Sequence, residues 1–206
     1  MGFQGAIREH AESLYRVGVG RDKVVIIKQP SQLKDVAALI LPGGESTTIG
    51  NFLGFRRFRF ALEKWYGRGR PIFATCAGLI LLSRSSVGSV SVPSLGWLDV
   101  TVRRNAFGRQ VDSFEALCTL RGERIVGENV PAIFIRAPIV ESVGEGVEII
   151  ARVRGAIVAV MQKGILATSF HPELTEDLRL HQWFVGEAMK EQGEVGGCTG
   201  KGEDSC

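Results

Sequence analysis

A chain of 206 residues, 45% hydrophobic and 23% charged, is long enough to bury a core of its own and has the balance of an ordinary folded domain. A net charge of +3 supplies no basic face of the kind nucleic-acid binders carry, and no apolar run approaches the ~20 residues that a membrane helix needs. Neither nucleic acid nor a membrane is expected as a partner, and the opening Met1-Gly2-Phe3-Gln4 lacks the charged and apolar regions of a signal peptide, which makes a cytoplasmic location the default.

In chain order, the first expected element is a helix over Ala6–Val17, with Ala11, Leu14, Tyr15 and Val17 along one side. Short β-branched runs at Val24–Ile27 and Val36–Leu41 read as strands, Asn51–Tyr66 as a helix, Pro71–Thr75 as a strand and Ala77–Leu82 as a helix. Further strands are expected at Leu98–Val102, Ala132–Ile135, Val147–Val153, Ala156–Met161 and Ile165–Phe170. The last helix, Thr175–Lys190, would set Leu178, Trp183, Phe184 and Met189 on its apolar face. Near-continuous apolar strands need cover on both faces, as in a mainly parallel sheet. Alternation early in the chain, then a cluster of strands, implies an α/β fold whose central sheet has an antiparallel extension. Residues 1–190 form one domain on this reading. Residues 191–206, rich in Gly, Glu, Lys, Ser and Cys, have little to bury and are expected to be a disordered tail.

The four cysteines are Cys76, Cys118, Cys198 and Cys206; none forms a CxxC pair, and no Cys/His cluster has zinc-ligand spacing. No disulfide framework, metal or cofactor is expected. Cys118, in the apolar Ala116-Leu117-Cys118, reads as packing. Cys76 differs because of its neighbours. Pro71–Leu79 reads as strand, sharp turn and helix, and Ala74, Ala77 and Gly78 are small enough for such a turn. The turn would project the sulfur at the carboxyl end of the sheet, where open α/β folds bind ligands. There it meets a helix N-terminus, whose partial positive charge suits an anionic nucleophile, and the Ala77 amide could donate to an oxyanion. A buried cysteine acting as a small hydrophobe is the commoner arrangement, so the elbow needs a second element.

Ser169-Phe170-His171-Pro172-Glu173 provides it. Pro172 forces an extended backbone at His171, and in extended chain the side chains of His171 and Glu173 point the same way. The carboxylate would fix the ring tautomer and leave the other nitrogen to serve the thiol. The remaining histidines, His10 beside Glu9 and His181 in the last helix, read as surface or packing residues rather than bases.

With these motifs in view, Thr75-Cys76-Ala77-Gly78 and His171-Pro172-Glu173 resemble the class I, triad-type glutamine amidotransferases. Gln4-Gly5 with Glu9-His10, the run Leu41–Gly50, the run Arg104–Glu115, Phe134–Pro138 and Ala167–Thr175 extend the likeness over Phe3–Lys190, to the glutaminase subunits of pyridoxal 5′-phosphate synthases. The resemblance implies a flavodoxin-like three-layer α/β fold and hydrolysis of L-glutamine to L-glutamate and ammonia. Cys76 would be the nucleophile, His171 the proton shuttle and Glu173 its orienter. It further implies that Gly43, Gly44, Glu45 and Ser46 hold glutamine and complete the oxyanion hole with Ala77, and that Arg104, Ile135 and Arg136 contact the substrate. The implied partner is a (β/α)8-barrel synthase subunit, in an assembly with about a dozen copies of each chain. The family also carries a full apolar strand where this chain has Met1-Gly2-Phe3 before Gln4.

Other readings stay open on the residues alone. Gly43-Gly44 after a strand fits a plain turn, Arg104 and Arg109 fit ordinary ion pairs, and the basic stretch Arg56, Arg57, Arg59, Lys64, Arg68 and Arg70 fits a solvated helix face or a partner contact. A glutaminase for histidine or purine synthesis would share the triad, and a non-catalytic binding module could share the fold.

Overall fold

A computed structural model describes residues 1–88, 92–104, 106 and 113–196. Its elements are α1 (Ile7–Arg16), β1 (Leu39–Leu41), α2 (Ser46–Gly54), α3 (Arg56–Tyr66), β2 (Ile72–Thr75), α4 (Ala77–Leu82), β3 (Ser83–Val87) and β4 (Leu98–Arg103). After these come β5 (Ser113–Arg121), β6 (Val126–Ile135), β7 (Ile139–Val143), β8 (Glu148–Val153), β9 (Ala156–Gln162), β10 (Ile165–Thr168) and α5 (Arg179–Gly196). The main sheet runs β1-β2-β10-β9-β7-β4-β3, with β8 also on β9, while β5 and β6 form a separate hairpin. Strands β1, β2 and β10 are mutually parallel. Antiparallel pairings begin at β9 and continue through β7 and β4. The parallel part is therefore confined to β1-β2-β10 and the β3–β4 edge pair, a larger antiparallel extension than the sequence suggests.

Alternation along the central strands separates two cores. Leu39, Leu41, Ile72, Ala74, Ile165 and Ala167 face one side, where Ile49 and Leu53 of α2, Phe58, Leu62 and Trp65 of α3, and all of α4 cover them. Phe73 and Leu166 face the other, against Leu180 and Phe184 of α5, Leu14 of α1 and Phe134 of the hairpin. Helices on both sides of one sheet give the three layers. Burying a side chain such as Phe73 completely contributes ~1.5–3 kcal/mol. Thr75, two positions on, shares the Phe73 face and is equally buried. That places a hydroxyl among apolar side chains, between α1 and α5.

Several expectations change. Val24–Ile27 forms no strand; instead Gly2 N–H donates to Ile27 O (2.9 Å) and the Met1 amino group to Ile40 O (2.7 Å). The single helix expected over Asn51–Tyr66 begins earlier, at Ser46, and breaks at Phe55, directly after the helix-weakening Gly54. Strands β3, β5 and β7 were not anticipated. Ser83–Val87 is a mostly polar edge strand with no apolar signature. Helix α5 buries Leu180, His181, Phe184 and Glu187, and leaves Met189 exposed. It also continues past Lys190 to Gly196, because Glu191, Gln192 and Glu194 sustain a helix. Residues 197–206, with Cys198 and Cys206, lie outside the described residues, as do Asn105 and residues 107–112 with Arg109.

Candidate active site

Cys76 occupies the turn between β2 and α4 with φ 46° and ψ −100°, a conformation that non-glycine residues seldom adopt. Two backbone bonds hold it there: Cys76 N–H to Thr168 O (2.8 Å) and Leu79 N–H to Cys76 O (3.1 Å). The small residues have a measurable reason. A Cβ on Gly78 would stand 2.2 Å from Leu41 O, so α4 can press against β1 only with glycine at that position.

His171 follows β10 and is anchored by its N–H to Ile133 O (2.8 Å), across to the hairpin. Its Nδ1 lies 2.7 Å from Oε1 of Glu173. The two meet for a different reason than an extended chain would supply: Pro172–Leu174 is a 3-10 turn that folds the carboxylate back under the ring. Burial of His171 opposes its charged form, but the neighbouring Cys76 and Glu173 outweigh that and push it up to about 10. Burial likewise opposes the Glu173 anion, yet His10 and His171 together hold its carboxyl below the usual range. The Cys76 thiol points to Ile135 O (3.9 Å).

Around this pair opens a cleft of ≈ 520 Å³ lined by Gly43, Gly44, Glu45, Ser46, Cys76, Ala77, Arg104, Ile135, Arg136 and His171. Every site residue named from the sequence therefore borders one cleft, except Glu173, which sits behind His171 with a fully buried side chain. A roomier hollow of ≈ 700 Å³ between Gly54 and Glu63 is walled by Arg56, Arg57, Arg59 and Phe60 and holds neither nucleophile nor base.

The Gly43–Glu45 loop is gripped from the N-terminal segment. Gln4 Oε1 accepts from Glu45 N–H (2.7 Å), and Ala6 N–H donates to Gly43 O (3.1 Å). Gly5, at φ 102°, comes so near that a Cβ would lie 1.7 Å from Gly43 O. Arg104 reaches within 4.0 Å of Glu45, which also caps α2 through Thr47 N–H (3.4 Å).

Residues 1–190 match the SNO glutamine amidotransferase family. The chain is 46% identical over 95% of its length to the pyridoxal 5'-phosphate synthase subunit PdxT of Bacillus velezensis, of which it covers 96%. It is 50% identical to the protein of the same name from Frankia alni, over 90% of this chain and 91% of that one. The chain belongs to the SNO glutamine amidotransferase family. A crystal structure of a glutamine amidotransferase, 43% identical, superposes with a TM-score of 0.82 over 90% of this chain and 95% of that one.

Within this family member, sequence reasoning missed a polar cluster behind His171 and Glu173. His10 and His181 are neither surface residues nor mere packing: both are buried, with His10 Nδ1 3.0 Å from His181 Nε2 and His10 Nε2 3.1 Å from Thr75 Oγ1. Thr75 Oγ1 also accepts from Gly43 N–H (2.9 Å) and donates to Glu173 Oε1 (3.5 Å). Burial pushes both histidines down, His181 to about 3. The one signal in the sequence was the Glu9-His10 pair, which carries no spacing rule that would reveal its depth.

Proposed function

We propose that this chain is the glutaminase subunit of a pyridoxal 5′-phosphate synthase, hydrolysing L-glutamine to L-glutamate and ammonia through Cys76, His171 and Glu173. The observation that carries the reading is the placement of Cys76 and His171 on one cleft, with Glu173 on the ring nitrogen that faces away. Cys76 Sγ, with its proton already held on His171, attacks the carboxamide carbon. The oxyanion is met by the amides of Ala77 and Gly44, since the Gly43 N–H is engaged by Thr75 Oγ1. His171 returns the proton to the leaving nitrogen, ammonia departs, and water activated by the same imidazole cleaves the thioester. Glutamine is zwitterionic, so Arg104 and Arg136 suit its carboxylate and Glu45 its ammonium group.

The names of the relatives support a synthase partner. We assign that partner as a (β/α)8-barrel subunit that accepts ammonia, in an assembly with about a dozen copies of each chain, and the location as the cytoplasm. Among the described residues no helix is long and apolar enough to cross a membrane. Coupling to an acceptor has a physical motive, because ammonia released into water is mostly protonated and lost as a nucleophile. The test is glutamine hydrolysis with and without the barrel synthase, for wild type and Cys76→Ala. Activation of wild type alone is expected. Equal activity in the two chains removes the nucleophile, and activation by a histidine-pathway cyclase instead reassigns the partner.

A further inference from the structure

Helices α1 and α5 each bury a histidine against the sheet face that carries Phe73, whose ring stands 5.8 Å from His10 and 5.3 Å from His181. Two imidazoles in an apolar layer are costly unless their nitrogens are satisfied. They are joined into one chain, His181–His10–Thr75–Glu173, ending on the oxygen that receives His171. We propose that His10, oriented by His181, is a positioning residue for glutamine hydrolysis: through the Thr75 hydroxyl it keeps the Glu173 carboxylate ionised and aligned on His171, and it links that alignment to the backbone amide of Gly43. The inference rests on the assignment of Cys76, His171 and Glu173 as the catalytic triad.

Proton counting fixes the direction of the chain. A threonine hydroxyl has one proton to give and two lone pairs to fill. Gly43 N–H occupies one lone pair of Thr75. If His10 Nε2 carries a proton it fills the second, and the hydroxyl proton is left for Glu173 Oε1. With Nε2 bare, the hydroxyl would turn to His10, and an imidazole lone pair would stand 3.5 Å from the carboxylate. The first arrangement therefore wins. His10, neutral because it is buried, then has a bare Nδ1, so His181 Nε2 must be the donor to it. That leaves His181 Nδ1 without a proton, and this buried atom indeed lacks a hydrogen-bond partner among the described residues. An orphaned acceptor is tolerated far better than an orphaned N–H. Every donor in the chain thus points its positive end toward Glu173, and His171 Nδ1–H approaches the same oxygen from the cleft side.

The second carboxylate oxygen, Oε2, is buried and also lacks a partner among the described residues. Orientation therefore depends on what Oε1 contacts, and a carboxylate released on the Thr75 side could rotate away from His171. The charged and titratable groups facing His10 are Glu173 and His171 from the turn after β10, His181 from α5, Glu9 on its own helix and the Met1 amino group; Arg16 faces His181. Among them Glu173 is the group whose ionisation the chain of donors serves.

The test uses the partner-activated enzyme and follows kcat, KM and the pH profile of kcat/KM. His10→Leu is expected to lower kcat about 10- to 100-fold, the span of a lost hydrogen bond to a charged group, with little change in KM. Its acid limb should move up by about one pH unit as Glu173 protonates more readily. His10→Gln, whose amide N–H can replace Nε2–H, recovers most of the rate and the original limb. A folded His10→Leu with kcat and acid limb within about twofold of wild type overturns the proposal, as does a Gln variant as impaired as Leu. Should His10→Leu fail to fold, 15N resonances of the imidazoles in wild type decide: both His10 and His181 neutral and protonated at Nε2 supports it, whereas His10 protonated at Nδ1, or charged, overturns it. Hydrolysis surviving in Cys76→Ala would sink the triad itself, while a dead Cys76→Ala beside an indifferent His10→Leu sinks this inference alone.

Discussion

Nδ1 of His171 stands 2.7 Å from Oε1 of Glu173, and the two side chains are brought together by a single 3-10 turn begun at Pro172. The carboxylate is wholly shielded from solvent on its own account, so its charge is retained for what it does to the ring. Glu173→Gln keeps the shape and can offer a carbonyl to Nδ1–H, but no longer stabilises the imidazolium that forms when Cys76 loses its proton. We expect kcat to fall by ~10²- to 10⁴-fold, as when the orienting carboxylate of a catalytic triad is replaced by an amide. Because removing one partner of a buried pair leaves the His171 charge uncompensated, the melting temperature should fall as well, by several degrees, for a loss of about 1–3 kcal/mol. Steady-state kinetics beside a thermal melt check both halves. Activity within tenfold of wild type would remove Glu173 from the mechanism.

Gly43 lies where no side chain fits. A Cβ there would be 2.3 Å from His171 Cε1, 2.9 Å from Nδ1 and 3.3 Å from Cys76 Cβ. In Gly43→Ala the ring must retreat, and a displacement of about 1 Å in a catalytic group can cost ~10²-fold in rate. Gly54→Ala serves as its control, since a Cβ at Gly54 meets nothing within 4 Å. It ends α2, does not line the cleft, and should gain ~0.4–1 kcal/mol from a stiffer unfolded chain. Assaying the pair separates a loss caused by crowding at His171 from a general effect of adding a methyl group.

What the sequence discloses about this protein follows from how local each feature is. The elbow is a strand, a turn and small residues within Pro71–Leu79, and it appears where expected. The apolar runs of β2 and β10 are buried along their whole lengths, and that of β9 from Ile157 on, and they are legible for that reason. Ser83–Val87 is invisible because an edge strand can be polar. The break at Phe55 depends on Gly54 weakening a pattern that otherwise looks continuous. His10, Thr75 and His181 are illegible for a deeper reason: they come from α1, β2 and α5, and meet only because the sheet alternation puts Thr75 beneath both helices. No spacing rule connects residues separated by 65 and 171 positions.

Arg104 borders the cleft with a mostly buried side chain, 4.0 Å from Glu45. If it receives the carboxylate of glutamine, its planar fork matters more than its charge. Arg104→Lys keeps a cation but gives up bidentate geometry, so KM for glutamine should rise by about 10-fold or more while kcat changes less. Titrating glutamine against the activated enzyme measures this. A variant with KM unchanged and kcat reduced would mean that Arg104 acts on the transition state or on the loop, rather than on substrate binding.

Acid should unfold this protein sooner than its surface charges suggest. His181 is neutral and buried, with its pKa pushed down to about 3 from 6.5, and His10 is lowered by the same burial. As pH falls below 6.5 the unfolded chain takes up these protons and the folded chain does not. Each such proton removes about 1.4 kcal/mol of stability per pH unit until the folded group itself titrates. Glu173, held below its usual range, adds loss of the same sign further down, as its carboxylate must be protonated. The buried Met1 amino group, lowered from 8.0 to about 5, begins its part at a higher pH. His171 acts oppositely: raised to about 10, its contribution is complete below 6.5 and fades as pH climbs through 10. Stability should therefore peak near neutrality and decline steeply between pH 6 and 4. Urea denaturation across that range, in wild type and His181→Leu, tests the assignment. The variant loses a hydrogen bond and should be weaker at pH 8, but its decline toward pH 4 should be shallower by up to one proton's slope. Parallel declines in the two chains would show that His181 is already charged in the fold.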